Sequence, residues 1–312
     1  MPISVNVDNF VRAESDRMFA SFAAAAGGVN RLRHNRSPTP VDDQPVIRMN
    51  RDTLYSAAVV DISDGARVTL PDPGARYVSV MVVNQDHYIN RVLHEPGEYA
   101  LSVEEFDTPW VAVAARILVD PGNPADVAEV NALQDRLVID ASAANPFEQP
   151  DYDGASLDAT RTALLQLARG LNAFDSAFGV KNDVDPVRHL LGTAAGWGGL
   201  PDHEARYIGV EPRLPVAEYS ITVRDVPVDG FWSVSVYNAD GYFEPNDRDA
   251  YSVNNLTGTP NPDGSITIHF GGDDGRPNLL PIVDGWNYTI RLYRPRSEIL
   301  DGSWTFPPIE AA

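Results

Sequence analysis

A self-match at an offset of 154 residues constrains this chain more than any other feature. Residues 77–88 run from Tyr77 to Tyr88 and residues 231–242 from Phe231 to Tyr242, and six of the twelve aligned positions are identical. Ser79, Val80 and Val82 pair with Ser233, Val234 and Val236. Such matches are common among strands, which favour Val. The spaced match of Asn84, Asp86 and Tyr88 with Asn238, Asp240 and Tyr242 carries more information. A repeat of about half the chain points to two copies of one supersecondary plan. Each copy is followed by a Gly-containing turn and then by a strand with a basic residue, Arg116 in one half and Arg291 in the other.

The local patterns fill in that plan. Asp8 or Asn9 can start a helix that runs to about Ala26 and stops at Gly27 and Gly28. Strand-like runs follow from Leu54 to Ile62, Ala66 to Leu70, Tyr77 to Asn84, Tyr99 to Val103 and Trp110 to Val119. The middle reads as helical. Pro124 to Val138 is one candidate, and residues 157–178 form another, with Ser156 as cap, Leu164, Ala168 and Leu171 on the buried face and Gly179 as stop. From Tyr219 to Arg294 the pattern is β again, and the tail around Trp304 and Phe306 reads as a surface segment. The expected fold is therefore α+β and mainly β. Its parts are an N-terminal helix with a first β domain (1–122), a helical connecting region (123–200) and a second β domain (201–312).

Charge and composition narrow the partners. The chain has 44 acidic and 24 basic residues, a net charge of −20. That field disfavours nucleic acid and anionic membrane, whose binding needs basic clusters. Every basic residue but Lys181 is Arg, the side chain suited to bidentate contact with carboxylate or phosphate. With no Cys, thiol catalysis and thiolate metal sites are excluded. The first residues carry no basic and apolar leader pattern, and no run of 18 apolar residues occurs, so a soluble, cytoplasmic protein is expected, with a mature secreted form as the alternative that would look the same. The sequence is compatible with a homo-oligomer.

The chemistry is less sharply written. His34, His87, His94, His189, His203 and His269 show no metal-ligand spacing. No Gly-x-Ser-x-Gly elbow, P-loop or dinucleotide fingerprint is present, so no organic cofactor is expected. A divalent cation held by oxygen ligands is compatible with the acidic turns. Strand period puts Val80, Val82, Asn84, Asp86 and Tyr88 on one face, apolar first and polar last, as in a strand that leaves a core for a rim. Asn50, Arg51, Asp52 and Tyr55 precede or open another strand. The candidate catalytic set is therefore Asp52, Tyr55, Asp86 and His87. Asn50, Arg51, Asn84, Tyr88 and Arg116 are candidate substrate contacts, all at one opening of the first β domain. A carboxylate beside Tyr or His in a partly dry cleft suits acid–base chemistry. The same residues also suit turn formation and strand entry. Two functions fit: an enzyme on a small polar or anionic substrate, by acid–base or cation-assisted chemistry, or a sugar or polyol-phosphate binding module. A structural assembly protein is a third.

At these residues the chain resembles known families. Asn50, Asp52, Thr53, Leu54, Tyr55 and Ser56, with Tyr77 to Val80, are similar to the bacterial family called domain of unknown function twelve fifty-four. The second half resembles its usual partner, domain of unknown function twelve fourteen. The matching residues there are Gly230 to Tyr237, Tyr251, Ser252, Asn278 to Pro281 and Arg291 to Pro295, with Gly196 to Pro201 as the lead-in. The resemblance implies two tandem jelly-roll-like β-sandwich domains with a helical insert. It implies no reaction, because the family carries no settled activity.

Overall fold

The computed structural model describes residues 1–44, 47–171, 173–272 and 275–312. The chain forms two compact units, each assembled from three segments. One holds Met1–Arg36, Leu54–Leu118 and Ala128–Asp202, the other Ser37–Thr53, Val119–Val127 and His203–Ala312. The architecture is mixed α and β and mainly β. Among the described residues no helix is long and apolar enough to cross a membrane.

The first unit begins with α1 (Phe10–Ala26), which Gly27 ends in a left-handed conformation at φ 74°, its N–H donating to the Ala24 carbonyl. The strands β1 (Arg33–His34), β2 (Thr53–Asp61), β3 (Ala66–Leu70), β4 (Val78–Asn84), β5 (Ile89–Leu93) and β6 (Gly97–Leu101) follow. The short helix α2 (Val103–Phe106) precedes β7 (Trp110–Leu118), α3 (Pro124–Gln134) and β8 (Val138–Ala141). Two sheets result, ordered β1-β2-β7-β4-β5 and β6-β3-β8. The helices α4 (Gly154–Leu167) and α5 (Pro186–Gly196) close the unit. Their apolar residues Leu157, Leu164 and Leu191 share a core with Val5, Phe10 and Ala13.

The second unit contains β9 (Ala205–Val210), β10 (Tyr219–Val223), β11 (Trp232–Tyr237), β12 (Ser252–Asn254) and β13 (Ile266–Phe270). It ends with β14 (Leu279–Leu280), β15 (Asn287–Tyr293), α6 (Ser297–Leu300) and β16 (Glu310–Ala311). Its sheets run β12-β11-β15-β9 and β14-β13-β10-β16. One core joins them: Ile221, Ile268 and Phe270 of one sheet pack with Val234, Val236, Ile290 and Leu292 of the other. Trp304 and Phe306 of the tail pack against this core.

The two units repeat one plan. In each, the first, sixth, third and fourth main strands form one sheet, and the fifth, second and seventh form the other. The repeat holds at single-residue register. Ser79 faces Arg116 across β4 and β7, and Ser233 faces Arg291 across β11 and β15. The Asn-x-Asp-x-Tyr segments make the same turn. Asn84 Oδ1 accepts from the amides of Asp86 and Tyr88, as Asn238 Oδ1 does from Asp240 and Tyr242. Each turn needs a left-handed residue, His87 at φ 61° and Gly241 at φ 86°.

Several sequence expectations need correction. The helix expected over 157–178 is α4, which starts earlier and ends at Leu167, because Gly170 at φ 86° turns the chain; Asn172 lies outside the described residues. Asp153 caps it by accepting from the Ser156 amide at 3.1 Å, so Ser156 sits in the first turn. Leu171 is only half-buried and lies past the helix. The helix from Pro124 stops at Gln134, and Val138 opens β8, a partner of β3. Val103 starts α2 instead of ending a strand.

Candidate functional site

The expected site residues fall in both units. Tyr55, Asn84, Asp86, His87, Tyr88 and Arg116 belong to the first, and Asn50, Arg51 and Asp52 to the second.

In the first unit these residues are largely engaged by the fold. The Asp86 carboxylate is a half-exposed ion pair with Arg12, at 2.8 Å to Nε and 2.6 Å to Nη2, and not with Arg51 or Arg116. His87 does not join Asp86 at an opening, because its left-handed backbone turns the ring inward and it is fully buried. The ring Nε2 accepts from the Gly198 amide at 2.8 Å, which leaves Nδ1 to donate to Thr193 Oγ1 at 2.7 Å. Burial, then the neighbouring charge of His189, holds the His87 imidazole well below its usual range. Its ring stacks on Trp197 at 5.1 Å, and Tyr88 stacks on His189 at 4.8 Å. Arg116 donates to the Gly198 carbonyl at 2.7 Å and lies over the Tyr55 ring. One residue of the Gly-rich loop, Gly198, is thus held on its N–H by His87 and on its carbonyl by Arg116. His94 Nδ1 contacts the Val78 carbonyl, and His269 lies in the other unit.

Beside this turn sits a buried polar group that sequence reasoning missed. Asp16 on α1 accepts from Gln85 Nε2 at 2.8 Å and from the Tyr152 hydroxyl at 2.9 Å. Burial raises its carboxyl above the usual range, and those two hydrogen bonds only partly offset it. Buried Glu14, two residues earlier, pairs with Arg17 and Arg161.

In the second unit Asp52 has no exposed surface. Its Oδ1 accepts from Ser252 Oγ at 2.8 Å and from Asn254 Nδ2 at 2.9 Å, while Oδ2 has no hydrogen-bond partner among the described residues. The outward face of β15 carries Asn287, Thr289 and Arg291, since Tyr288, Ile290 and Leu292 fill the core. Arg291 donates to Ser235 Oγ at 2.8 Å, to the Tyr237 hydroxyl at 2.7 Å and to the carbonyls of Arg48 and Met49 at 2.9 and 3.2 Å. Burial alone would lower this guanidinium, but Tyr237, Tyr293 and Asp52 outweigh it and the net shift is upward. Asn50 Nδ2 donates to the Tyr293 hydroxyl at 3.0 Å. Arg51 is tied to the Thr39 carbonyl and lies 4.0 Å from Asp249. Residues 48–52 thus form a strap, laid on the polar face of the sheet by side chains from three strands.

The outer end of this strap borders a cleft of about 360 Å³ within the second unit. Its lining includes Arg48, Glu211, Arg213, Asp240, Trp286 and Asn287. Both arginines have left-handed backbones, at φ 53° and 55°. Such residues cluster where a fold over-determines a local conformation, functional sites included. Arg48 stands 3.7 Å from Glu211, a loose pairing. Arg213 is exposed and has no ion pair or side-chain hydrogen bond among the described residues. The indole N–H of Trp286 and the side-chain carbonyl of Asn287 also lack hydrogen-bond partners among the described residues. Sequence reasoning passed over this cleft. The turns at Gly241 and Gly285 that shape it were legible, but a left-handed Arg leaves no local signature. Among the described residues no group of three or more His, Asp or Glu is placed to hold a metal ion.

Fold and sites together define a tandem two-unit β protein with a helical layer in its first unit. Residues 29–141 match the family described as Protein of unknown function (DUF1254) and residues 213–297 match Protein of unknown function (DUF1214), so the two matches stand in tandem along the chain. No curated protein matches it. The crystal structure of the VPA0106 protein from Vibrio parahaemolyticus is similar with a TM-score of 0.74 at 18% identity, over 99% of this chain and 100% of that one. An uncharacterised protein from Burkholderia cenocepacia is similar with a TM-score of 0.54 at 16% identity, over 98% of this chain and 87% of that one. At these identities the likeness concerns the fold alone.

Proposed function

We propose that this protein binds a small hydroxylated ligand, of sugar or polyol type, in the cleft of the second unit, each unit being a jelly-roll-like sandwich. The observation that carries the reading is Arg213, a cation without an ion partner among the described residues that shares a cleft with loosely paired Arg48 in a chain of net charge −20. The volume of about 360 Å³ falls within the range of small-molecule pockets. The Arg213 guanidinium offers donors, and the carboxylates of Glu211 and Asp240 offer acceptors for hydroxyl groups. Acid–base catalysis at the first unit is the weaker reading, since Arg12 neutralises Asp86 and His87 is sealed from solvent.

Calorimetric titration of the full chain with sorbitol and sorbitol phosphate tests this. The parent should bind at least one of them, and Arg213→Ala should weaken that binding by about tenfold, the worth of one charge-assisted hydrogen bond. A parent that binds neither, or an Arg213→Ala variant that binds as the parent does, would overturn the reading.

A further inference from the structure

We infer that the cleft selects ligands bearing an oxyanion, that Arg48 is the residue that reads it, and that buried Arg291 is the residue that positions Arg48. This rests on the cleft being the ligand site.

The backbone of Arg48 is fixed on both sides. Its N–H donates to the Gly241 carbonyl at 2.7 Å, and its own carbonyl accepts from Arg291 Nη2 at 2.9 Å. The next carbonyl, of Met49, accepts from Arg291 and, at 2.8 Å, from the Tyr237 hydroxyl. A positive φ of 53° at a non-glycine residue persists only where the surroundings enforce it, and these bonds do so. Two glycines leave room for the result. A Cβ at Gly209 would stand 3.3 Å from Arg48 Nη1, and a Cβ at Gly241 would stand 3.2 Å from the Cβ of Ile47. The guanidinium therefore rests over bare backbone at Gly209, beside Glu211 and within the cleft lining.

The repeat supports the role given to Arg291. At the same register in the first unit, Arg116 faces Ser79 and donates to the Gly198 carbonyl. Each copy thus uses the arginine of its sixth strand as a peg that grips the carbonyl of a covering segment. In the second unit the segment so gripped carries a cleft residue. A guanidinium on a fixed backbone, with one loose carboxylate neighbour, is suited to charge-assisted bonds from a phosphate or carboxylate. A neutral polyol gains little from it, so the contact separates anionic from neutral ligands of the same shape.

The test is the ratio of affinities for sorbitol phosphate and sorbitol, measured by calorimetry on the full chain at two salt concentrations. Arg48→Met should lower phosphate affinity by about tenfold and leave the neutral polyol within about twofold. Gly209→Val fills the seat of the guanidinium without touching the peg, and should do the same. Arg291→Met should also flatten the ratio, with Arg291→Lys restoring part of it, while a merely structural role would weaken both ligands alike. Should Arg291→Met fail to fold, Gly209→Val and Arg48→Met decide. A parent that binds but keeps its ratio in both of these variants overturns this inference alone. A parent that binds neither compound overturns the ligand cleft itself.

Discussion

Protonation of His87 should control the acid stability of the first unit. The imidazole is fully buried, and its Nε2 lone pair is already used by the Gly198 N–H. A proton added there would face another N–H donor. Folding therefore holds the ring neutral, and burial with the charge of His189 depresses its affinity for protons well below normal. In the unfolded chain a histidine titrates near about 6.5. A group with a depressed folded value contributes stability that is present above the unfolded value and lost as pH falls toward the folded one. In that window the unfolded state binds one extra proton, which costs about 1.4 kcal/mol per pH unit. Acidification from about pH 6.5 to about pH 5 should thus remove about 2 kcal/mol. His87→Asn is the matched variant, because asparagine tolerates the left-handed backbone at φ 61° and does not titrate. Its lost hydrogen bonds lower stability by a constant amount, while its slope against pH should be flatter than the parent's by the full linkage value. Urea unfolding followed by Trp197 fluorescence reads the change where it occurs, since that indole stacks on the imidazole at 5.1 Å. Equal slopes for parent and variant between pH 5 and 7 would refute the reasoning.

Asp16 should act with the opposite sign. Its folded carboxyl is raised, so the stability it contributes is present below about pH 4 and is lost as pH rises through the raised value. The stability of Asp16→Asn relative to the parent should therefore increase with pH, measured by urea melts on both sides of that window. Leu164→Ala should cost about 2–5 kcal/mol, because this side chain lies in the core shared by α1, α4 and α5. Exposed Leu165→Ala should change stability by less than about 0.5 kcal/mol in the same melts.

Much of the β plan was legible because it is local and repeated. The run from Leu54 to Ile62 became β2, Ala66 to Leu70 became β3, and the Asn-x-Asp-x-Tyr segments became matching turns. Alternating apolar residues and a side chain that bonds its own following amides need no distant partner to be recognised. The gap in the helical middle has a local cause too, since the apolar spacing of Leu164, Ala168 and Leu171 continues past the turn at Gly170. The burial of Glu14, Ser15 and Asp16 was not legible. A polar helix face reads as solvent-exposed until Arg161, Trp197, Gln85 and Tyr152 arrive from elsewhere in the chain to bond it.

The candidate site divides along the same line. That Asn84, Asp86 and Arg116 are special followed from the repeat. Their partners did not, because Arg12 and Gly198 are distant in sequence. Asp52 and Tyr55 lie three positions apart, yet the chain passes from one unit to the other between Thr53 and Leu54. Proximity in sequence says nothing about which core a residue joins. The sequence by itself determined the duplicated strand-and-turn pattern and the turn chemistry, through hydrophobic period and short-range hydrogen bonding. Only the tertiary structure decided which polar residues are sealed and which face a cleft. Burial and charge pairing depend on groups such as Arg48, Arg213 and Arg291, brought together from across more than 240 positions of chain.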